Sequence, residues 1–592
     1  MSVKKQNPIE LQAMRHSAEH IMHQAVKELF PKVHLAMGPA TEDGFYNDFD
    51  PASYKISESD FPKIEKRMKE IIDLDLPITK MEVSEKEARK LFEDNPYKQE
   101  WIDEIAKKGS KITIYWTGKE GQKNSMVDLC SGPHVESTGK IGPFKLLSIA
   151  GAYWHGDEKN KMLTRIYGTA FPTQKELDQF LYVRKEAKER DHRKLGKELD
   201  LFVISDSIGK GLPLLTPKGT IIRKEILNYE YELEVENGFQ HVTCPHIASS
   251  EIYKRTGHWE HYKDVMYAPF GIDGEEYVLK PMNCPHHYMI FESRPRSYRE
   301  LPYRVAEPGT CYRYEKSGEL SGLMRVRALS IDDSHILMTE DQIESEFARC
   351  IKMVAKMFEA FGLKEYYVRL SLADPSDAVK YIADSKTWQK AGKLLEKIIK
   401  DNKLKYVKAQ GEASFYGPKI DYMVKDSLGR EWQMSTLQLD LFMGKRLKLV
   451  YTDKNGKEQH PVILHRGLTG SIERTLGILI EHYAGAFPVW LSPIQVKIIP
   501  ISSNHAEYAQ EIAQELQKNR LRSEIDSRDD TMQAKIRDAV TQKIPYMMIL
   551  GDREVQNKKI SLRLRNGEKM NDLEVEEFIQ KIQKEISEKK NI

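Results

Sequence analysis

The sequence predicts a multidomain α/β and α+β protein: an α+β N-terminal domain, a large antiparallel-sheet core with packed helices, and a small C-terminal α/β domain. Three observations lead there. A length of 592 residues accommodates three or four domains. The strand-like segments between Leu201 and Trp490 are short, divided by turns and interspersed with helical stretches. Beyond Pro493, strand and helix patterns alternate.

Ala18, Ile21, Met22, Ala25, Val26 and Leu29 recur at helical spacing and predict an amphipathic helix over 12–30. A second helix is expected at 61–74, followed by strand pieces such as Ile112–Tyr115. Pro172 and Thr173 read as a helix start, and the charge-dense stretch from Gln174 to Leu199, without internal proline, as a solvated linker helix. The large unit holds a helix near 341–361, and Leu491-Ser-Pro493 marks its end. Val496–Ile501 and Tyr546–Leu550 then read as strands around a helix at His505–Leu516, which predicts a mainly parallel sheet. The expected domains are 1–172, a linker at 173–199, 200–490 and 491–592.

With 40% hydrophobic and 30% charged residues the chain is an ordinary globular protein. A net charge of +2 excludes a polycation, so any nucleic-acid contact must rely on local patches. The five cysteines, Cys130, Cys244, Cys284, Cys311 and Cys350, are odd in number and scattered. They argue against a disulfide framework and for a reducing cytoplasm. No apolar run approaches a membrane span, and Met1 to Leu11 lacks a signal core, so a cytoplasmic location is expected.

Two constellations carry candidate chemistry. His16-Ser-Ala-Glu-His20 sets two imidazoles on one helix face, and Cys130-Ser-Gly-Pro-His134 adds a thiol and a third. These groups suit zinc, acid–base handling of a hydrolytic water, or ordinary packing. Cys284, His335 and His465 form a more dispersed set, a weak metal signal from spacing alone. Two runs, Cys311-Tyr-Arg313-Tyr-Glu315 and Leu323-Met-Arg325-Val-Arg327, read as strands joined by a loop with guanidinium groups at both ends. Such forks suit a triphosphate, and a solvated basic hairpin is the bland alternative. Gly470-Ser-Ile-Glu-Arg474 opens a helical pattern and puts Arg474 near an anion-favouring helix start.

Together with Gly238-Phe-Gln-His-Val-Thr-Cys-Pro245, these segments resemble motifs 1, 2 and 3 of class II aminoacyl-tRNA synthetases. Thr256-Gly-His-Trp259, Lys280-Pro-Met-Asn-Cys284, Phe415-Tyr-Gly-Pro-Lys419, Thr436-Leu-Gln-Leu-Asp440 and Leu464-His-Arg466 narrow the resemblance to the threonyl-tRNA synthetase family of bacterial type, over nearly the whole chain.

The resemblance implies one catalytic Zn²⁺ on Cys284, His335 and His465, with threonine held near Asp333, Tyr416 and Gln438. It implies ATP with Mg²⁺ at Arg313, Glu315, Arg325, Gln433 and Arg474, and His258 assisting transfer to the tRNA 3′ end. An editing centre that hydrolyses seryl-tRNA is implied at His16, His20, Lys98, Asp128, Cys130 and His134, and family precedent there favours water over metal. Arg537, Glu554 and Arg563 fall on anticodon-contacting positions, and Pro245 on a homodimer interface. The sequence departs from the pattern in four places. Only 15 residues precede His16, so the small ubiquitin-like domain of many bacterial members is not expected. Lys543 and Asp529 replace Arg and Asn, and His286 stands where glycine is common. The competing readings are a prolyl or seryl synthetase, which the Cys/His/His set and editing centre oppose, and an inactive RNA-binding regulator, which the intact arginines oppose.

Overall fold

The structure, a computed structural model, describes residues 8–377, 379–426 and 429–590. It contains two compact units, Met1–Arg184 and Lys185–Ile592. Among the described residues no helix is long and apolar enough to cross a membrane.

In the first unit the helix Pro8–Leu29 buries Ala18, Ile21, Met22, Ala25 and Val26, the periodic stripe of the sequence. It packs on the helix Phe61–Asp73, whose Ile64, Met68 and Ile71 recur at the same period. Both lie against a four-stranded antiparallel sheet, in the order His34–Met37, Phe45–Asp50, Met162–Ala170, Phe144–Tyr153. A second antiparallel sheet joins Ile78–Val83, Ile112–Thr117 and Met126–Leu129. Beside it runs the helix Pro96–Lys107, whose first turn is capped by the Asn95 side chain accepting from the N–H groups of Tyr97 and Lys98.

The linker differs from the expected single solvated helix. It is two helices, Gln174–Arg190 and His192–Glu198, broken at Asp191, whose carboxylate accepts the Arg193 N–H and starts the second one. An aspartate that can satisfy a free backbone donor favours a new N-cap over continuation. The segment is also only partly solvated, since Leu177, Ala187, His192 and Leu195 are buried.

The core of the second unit is an eight-stranded sheet. Its order is Gln240–His241, Tyr303–Tyr312, Ala328–Met338, Val462–Ser471, Glu431–Asp440, Lys419–Lys425, Tyr366–Leu372, Tyr406–Gln410. The inner pairings are antiparallel and the two outermost parallel. The helix Ile343–Ala360 covers it with Phe347, Cys350, Val354, Met357 and Phe358. Register does most to build the site. His335 pairs with His465, and His465 with Gln438, so three distant residues form one cross-strand row. Asp333 pairs with Glu307 two residues further along, on the same face of the pleat.

The C-terminal five-stranded sheet runs Ser523–Ile525, Val496–Pro500, Tyr546–Leu550, Ile560–Leu564, Lys569–Leu573. The first three strands are parallel, but the last two add antiparallel pairings, so the sheet is mixed rather than mainly parallel. The tight turn Arg565–Gly567, with Gly567 at φ 94°, makes a hairpin that the alternation of patterns did not reveal.

Candidate functional site

In the second unit, Cys284 opens the helix Cys284–Glu292 and shares one helix face with His287 and Tyr288, at i, i+3 and i+4. All three are buried against the strand row. Cys284, His335 and His465 place their ligating atoms within 4.8 Å of one another. His335 Nε2 lies 3.0 Å from His465 Nδ1. The far nitrogen of His465 is 3.3 Å from the Tyr288 hydroxyl and 3.4 Å from Asp440 Oδ2. Asp333 accepts the Asn283 amide at 3.3 Å, and the Tyr416 ring lies 4.9 Å from that of His465, tilted by 38°. Gln438 accepts the Ser414 hydroxyl at 3.1 Å, but its buried Nε2 has no partner. His258 follows Gly257, whose φ of 78° lets the helices Ser250–Thr256 and His258–Tyr262 abut and drops the imidazole inside. Burial, then His465 and Arg446, push the His258 pKa down to about 3. Its Nδ1 contacts Thr256 Oγ1 at 2.7 Å and its buried Nε2 is unpartnered.

Alongside lie the arginines. Arg313, Arg325 and Arg327 sit just beyond the ends of the paired strands Tyr303–Tyr312 and Ala328–Met338, in the connection rather than within the strands. Arg474 occupies the first turn of the helix Ile472–His482, whose N-cap Ser471 accepts the Arg474 N–H. Its guanidinium donates to the backbone oxygens of Met324 at 3.1 Å and Gln433 at 3.0 Å and rests 5.1 Å over the Trp432 ring. Burial, then repulsion from Arg313 and Arg325, lowers its pKa to about 10. Three cations are thus held together, with Arg325 leaning on Glu315 at 2.9 Å. His192 braces the same region: its Nδ1 lies 2.8 Å from Glu481 on the Arg474 helix, and its Nε2 accepts the Leu323 N–H at 3.1 Å.

In the first unit, His16, His20, Cys130 and His134 also converge within 4.8 Å. Hydrogen bonds settle two tautomers. His16 Nδ1–H donates to the Pro133 carbonyl at 3.2 Å. The Ser17 hydroxyl donates to Ala13, so His134 Nδ1–H donates to Ser17 at 3.0 Å. Both Nε2 lone pairs then face the Cys130 sulfur, at 3.4 and 3.3 Å. Burial pushes the Cys130 thiol up to about 12 and, followed by His16, pushes His134 down to about 3. The group is neutral, with lone pairs turned inward. Beneath it Asp128 pairs with Lys98 at 2.6 Å and with His23 at 2.9 Å.

The structure therefore brings together each set that the sequence singled out, apart from the C-terminal trio. There Glu554 is occupied, accepting from Gly551 N–H at 3.0 Å and the Ser561 hydroxyl at 2.8 Å. Arg537 is exposed, and Arg563 keeps a buried Nε without a partner. Sequence reasoning missed His23, Glu19, His287 and Glu307. His23 had a signal, lying seven residues after His16 on the same helix face. So did His287, at i+3 from Cys284. Glu19 and Glu307 had none, because their partners, Asn47 and His287, come from distant segments.

Three family models match the chain: a tRNA synthetase class II core domain (G, H, P, S and T) over residues 270–483, an anticodon binding domain over 495–585, and the threonyl and alanyl tRNA synthetase second additional domain over 112–167. With the antiparallel sheet and its flanking arginines, they define a class II aminoacyl-tRNA synthetase. A threonine–tRNA ligase of Rubrobacter xylanophilus is 48% identical over 99% of this chain and 90% of its own length. One from Streptococcus gordonii is 46% identical over 98% and 89%. A crystal structure described as the RNA binding domain of threonyl-tRNA synthetase from Cryptosporidium parvum Iowa II superposes with a TM-score of 0.63 at 33% identity, covering 67% of this chain and 98% of that one. The chain belongs to the threonine–tRNA ligase family.

Proposed function

We propose that residues 200–490 activate L-threonine with ATP and pass it to the 3′ end of tRNA(Thr), that residues 1–172 hydrolyse seryl-tRNA(Thr), that 173–199 link them, and that 491–592 bind the anticodon. The observation that carries the reading is the buried Cys284/His335/His465 set beside a triad of arginines.

The Cys/His/His donor set, buried and converging within 4.8 Å, fits zinc. When bound, zinc supplies a Lewis-acid position open to the substrate amino and hydroxyl groups. Asp333 orients the amino group, while the unpartnered Gln438 Nε2 and Tyr416 serve the hydroxyl side. Arg313, Arg325 and Arg474 hold ATP, with Mg²⁺, Glu315 and Gln433 completing the nucleotide site. The carboxylate oxygen of threonine attacks the α-phosphorus, the bond to the bridging oxygen breaks, and pyrophosphate leaves with its negative charge against the arginines. Their mutual repulsion is relieved by the polyphosphate, so positioning and charge stabilisation carry the step. The tRNA hydroxyl then attacks the threonyl carbonyl of the adenylate, the acyl–phosphate bond breaks, and AMP leaves as the hydroxyl loses its proton. The Thr256 hydroxyl donates to the Ile252 carbonyl at 2.9 Å, so neutral His258 holds its proton on Nδ1 and its bare, unpartnered Nε2 assists that proton transfer.

In the first unit the inward lone pairs of His16 and His134 suit a water that attacks the seryl ester, so hydrolysis by positioned water is preferred over a metal. Arg537, Glu554 and Arg563 are assigned to the anticodon. A homodimer joined near Pro245 is supported by exposed Tyr231, Val235 and Ile247 in the motif 1 region, and a cytoplasmic location rests on the family alone.

Amino-acid-dependent ATP–pyrophosphate exchange tests the reading, with zinc-loaded and zinc-stripped protein. Exchange with threonine, weaker exchange with serine, none with valine, and loss on stripping are expected. No exchange with any amino acid would overturn it.

A further inference from the structure

The outer nitrogen of His335 has an unusual neighbour. His335 Nδ1 and His287 Nδ1 stand 2.7 Å apart, both residues fully buried. Two ring nitrogens at that distance share one proton: one donates and the other accepts. The far nitrogen of His287, Nε2, lies 3.4 Å from Glu307 Oε2. Glu307 is itself anchored. Its Oε1 accepts the Cys244 backbone N–H at 2.7 Å, and the buried Lys280 ammonium stands 3.8 Å away. A carboxylate can only accept, so His287 carries its proton on Nε2 and leaves Nδ1 bare. His335 must then donate from Nδ1, and its Nε2 lone pair is directed at Cys284 and His465.

We infer that His287 and Glu307 are positioning residues that lock His335 in its ligating tautomer. The inference rests on the zinc reading above. It also decides a competing one. Cys244, His287 and Glu307 bring their ligating atoms within 4.8 Å and by residue type form a second metal site. A cation there would take His287 Nε2, force the proton to His287 Nδ1, and turn the protonated Nε2 of His335 towards the first site. The two sites compete for one proton arrangement, and Lys280 adds a positive charge against the second. One metal across these two adjacent sites follows.

The test is zinc content by mass spectrometry, zinc release to a chromophoric chelator, and the visible spectrum of cobalt-substituted protein. The wild type and His287→Leu, His287→Asn, Glu307→Gln and Cys244→Ser variants are compared as full chains. Losing an outer-shell partner of a metal-bound histidine costs about 10–100-fold in affinity. His287→Leu and Glu307→Gln are expected to release zinc faster by that order and to shift the cobalt bands. His287→Asn keeps an acceptor oxygen near the Nδ1 position and restores retention to within a few-fold, a rescue that loss of packing would not show. Cys244→Ser keeps its N–H and is expected to hold one zinc. Wild-type release rates in His287→Leu and Glu307→Gln, or a second zinc that Cys244→Ser removes, would overturn the inference. A wild type that takes up no zinc would overturn the metal reading itself, and the two failures are distinguishable.

Discussion

Replacing Lys98 with methionine removes one half of a buried ion pair and leaves the other in place. Lys98 Nζ lies 2.6 Å from Asp128 Oδ1, and the side chains are 5% and 6% exposed. Breaking such a pair costs about 3–5 kcal/mol, because the remaining charge keeps its desolvation penalty. Two features reduce that here. His23 Nδ1 stands 2.9 Å from the other carboxylate oxygen and remains its hydrogen-bond partner. Methionine also retains the packing of the lysine stem. The expected loss is therefore about 2–4 kcal/mol near neutral pH. In a unit of this size that lowers the melting temperature by roughly 5–15 °C.

The pH dependence gives the sharper check. Burial drives the Asp128 carboxyl up, but Lys98, then His23 and His20, outweigh it and hold its pKa well below the usual carboxylate value. A depressed carboxyl contributes stability that is present above its unfolded pKa of about 3.9 and is lost as the pH falls through the folded value. Without Lys98 burial prevails, and the protonated carboxyl becomes the comfortable form. The gap between wild type and variant is thus widest above neutrality and closes on acidification. Urea unfolding at several pH values measures it, with hydrogen exchange in Pro96–Lys107 and Met126–Leu129 localising the change. A gap below about 1 kcal/mol near neutral pH, or one that widens towards acid, would refute the reasoning. A Lys98→Met/Asp128→Leu double variant is expected to recover most of the loss, since apolar replacements of both partners are often neutral.

Arg474→Ala relieves the repulsion among three arginines but leaves the Met324 and Gln433 carbonyls without their donor, so the free protein is expected to lose no more than about 1–3 kcal/mol. The thermal stabilisation by saturating ATP, about 2.7 kcal/mol at one hundred times Kd in the wild type, should largely vanish. Calorimetry with and without ATP checks this. His258, with its pKa near 3, stays neutral across the working range. His258→Ala should therefore slow tRNA transfer about 10²-fold or more while threonine-dependent exchange keeps its pH profile, as rapid quench and exchange assays would show. Glu554→Gln keeps an acceptor for Gly551 and Ser561. It is expected to raise the KM for tRNA without altering exchange, and an unchanged KM would remove Glu554 from the anticodon contact.

What was legible in the sequence follows distance along the chain. Helical periodicity predicted helices at 12–30 and 341–361, found as Pro8–Leu29 and Ile343–Ala360, because each stripe is written within one segment. The mixed C-terminal sheet escaped because strand direction is decided by pairing, and the last hairpin carries no pattern different from a parallel strand. In the site, Cys284, His335 and His465 are spread over 182 positions; the register of Ala328–Met338 against Val462–Ser471 makes the two histidines neighbours, and the packing of helix Cys284–Glu292 on Ala328–Met338 brings in Cys284. Resemblance supplied them, where spacing alone had given a weak signal. The supporting residues Glu307 and Glu19 lay beyond both, since their contacts to His287 and Asn47 are made with segments distant in the chain.

On the proposed reading, the two His/Cys clusters also explain why one chain needs two sites. In the second unit the buried Gln438 Nε2 and His258 Nε2 have no partners in the absence of substrate. A ligand bearing a hydroxyl and an amine can satisfy such groups. Valine, isosteric with threonine but without the oxygen, leaves buried polar atoms unpaired, and a site built to hydrogen-bond a hydroxyl rejects the analogue lacking it by about 10⁴–10⁵. Serine satisfies the same groups and differs by one methyl, worth only about 1–3 kcal/mol in a pocket. No rearrangement of the buried row can improve that, because the feature that excludes valine is the one that admits serine. The discrimination has to be made later, on the ester, by a centre that bonds to different atoms. The neutral imidazoles around Cys130, built on helix Pro8–Leu29 in a separate compact unit, meet that requirement.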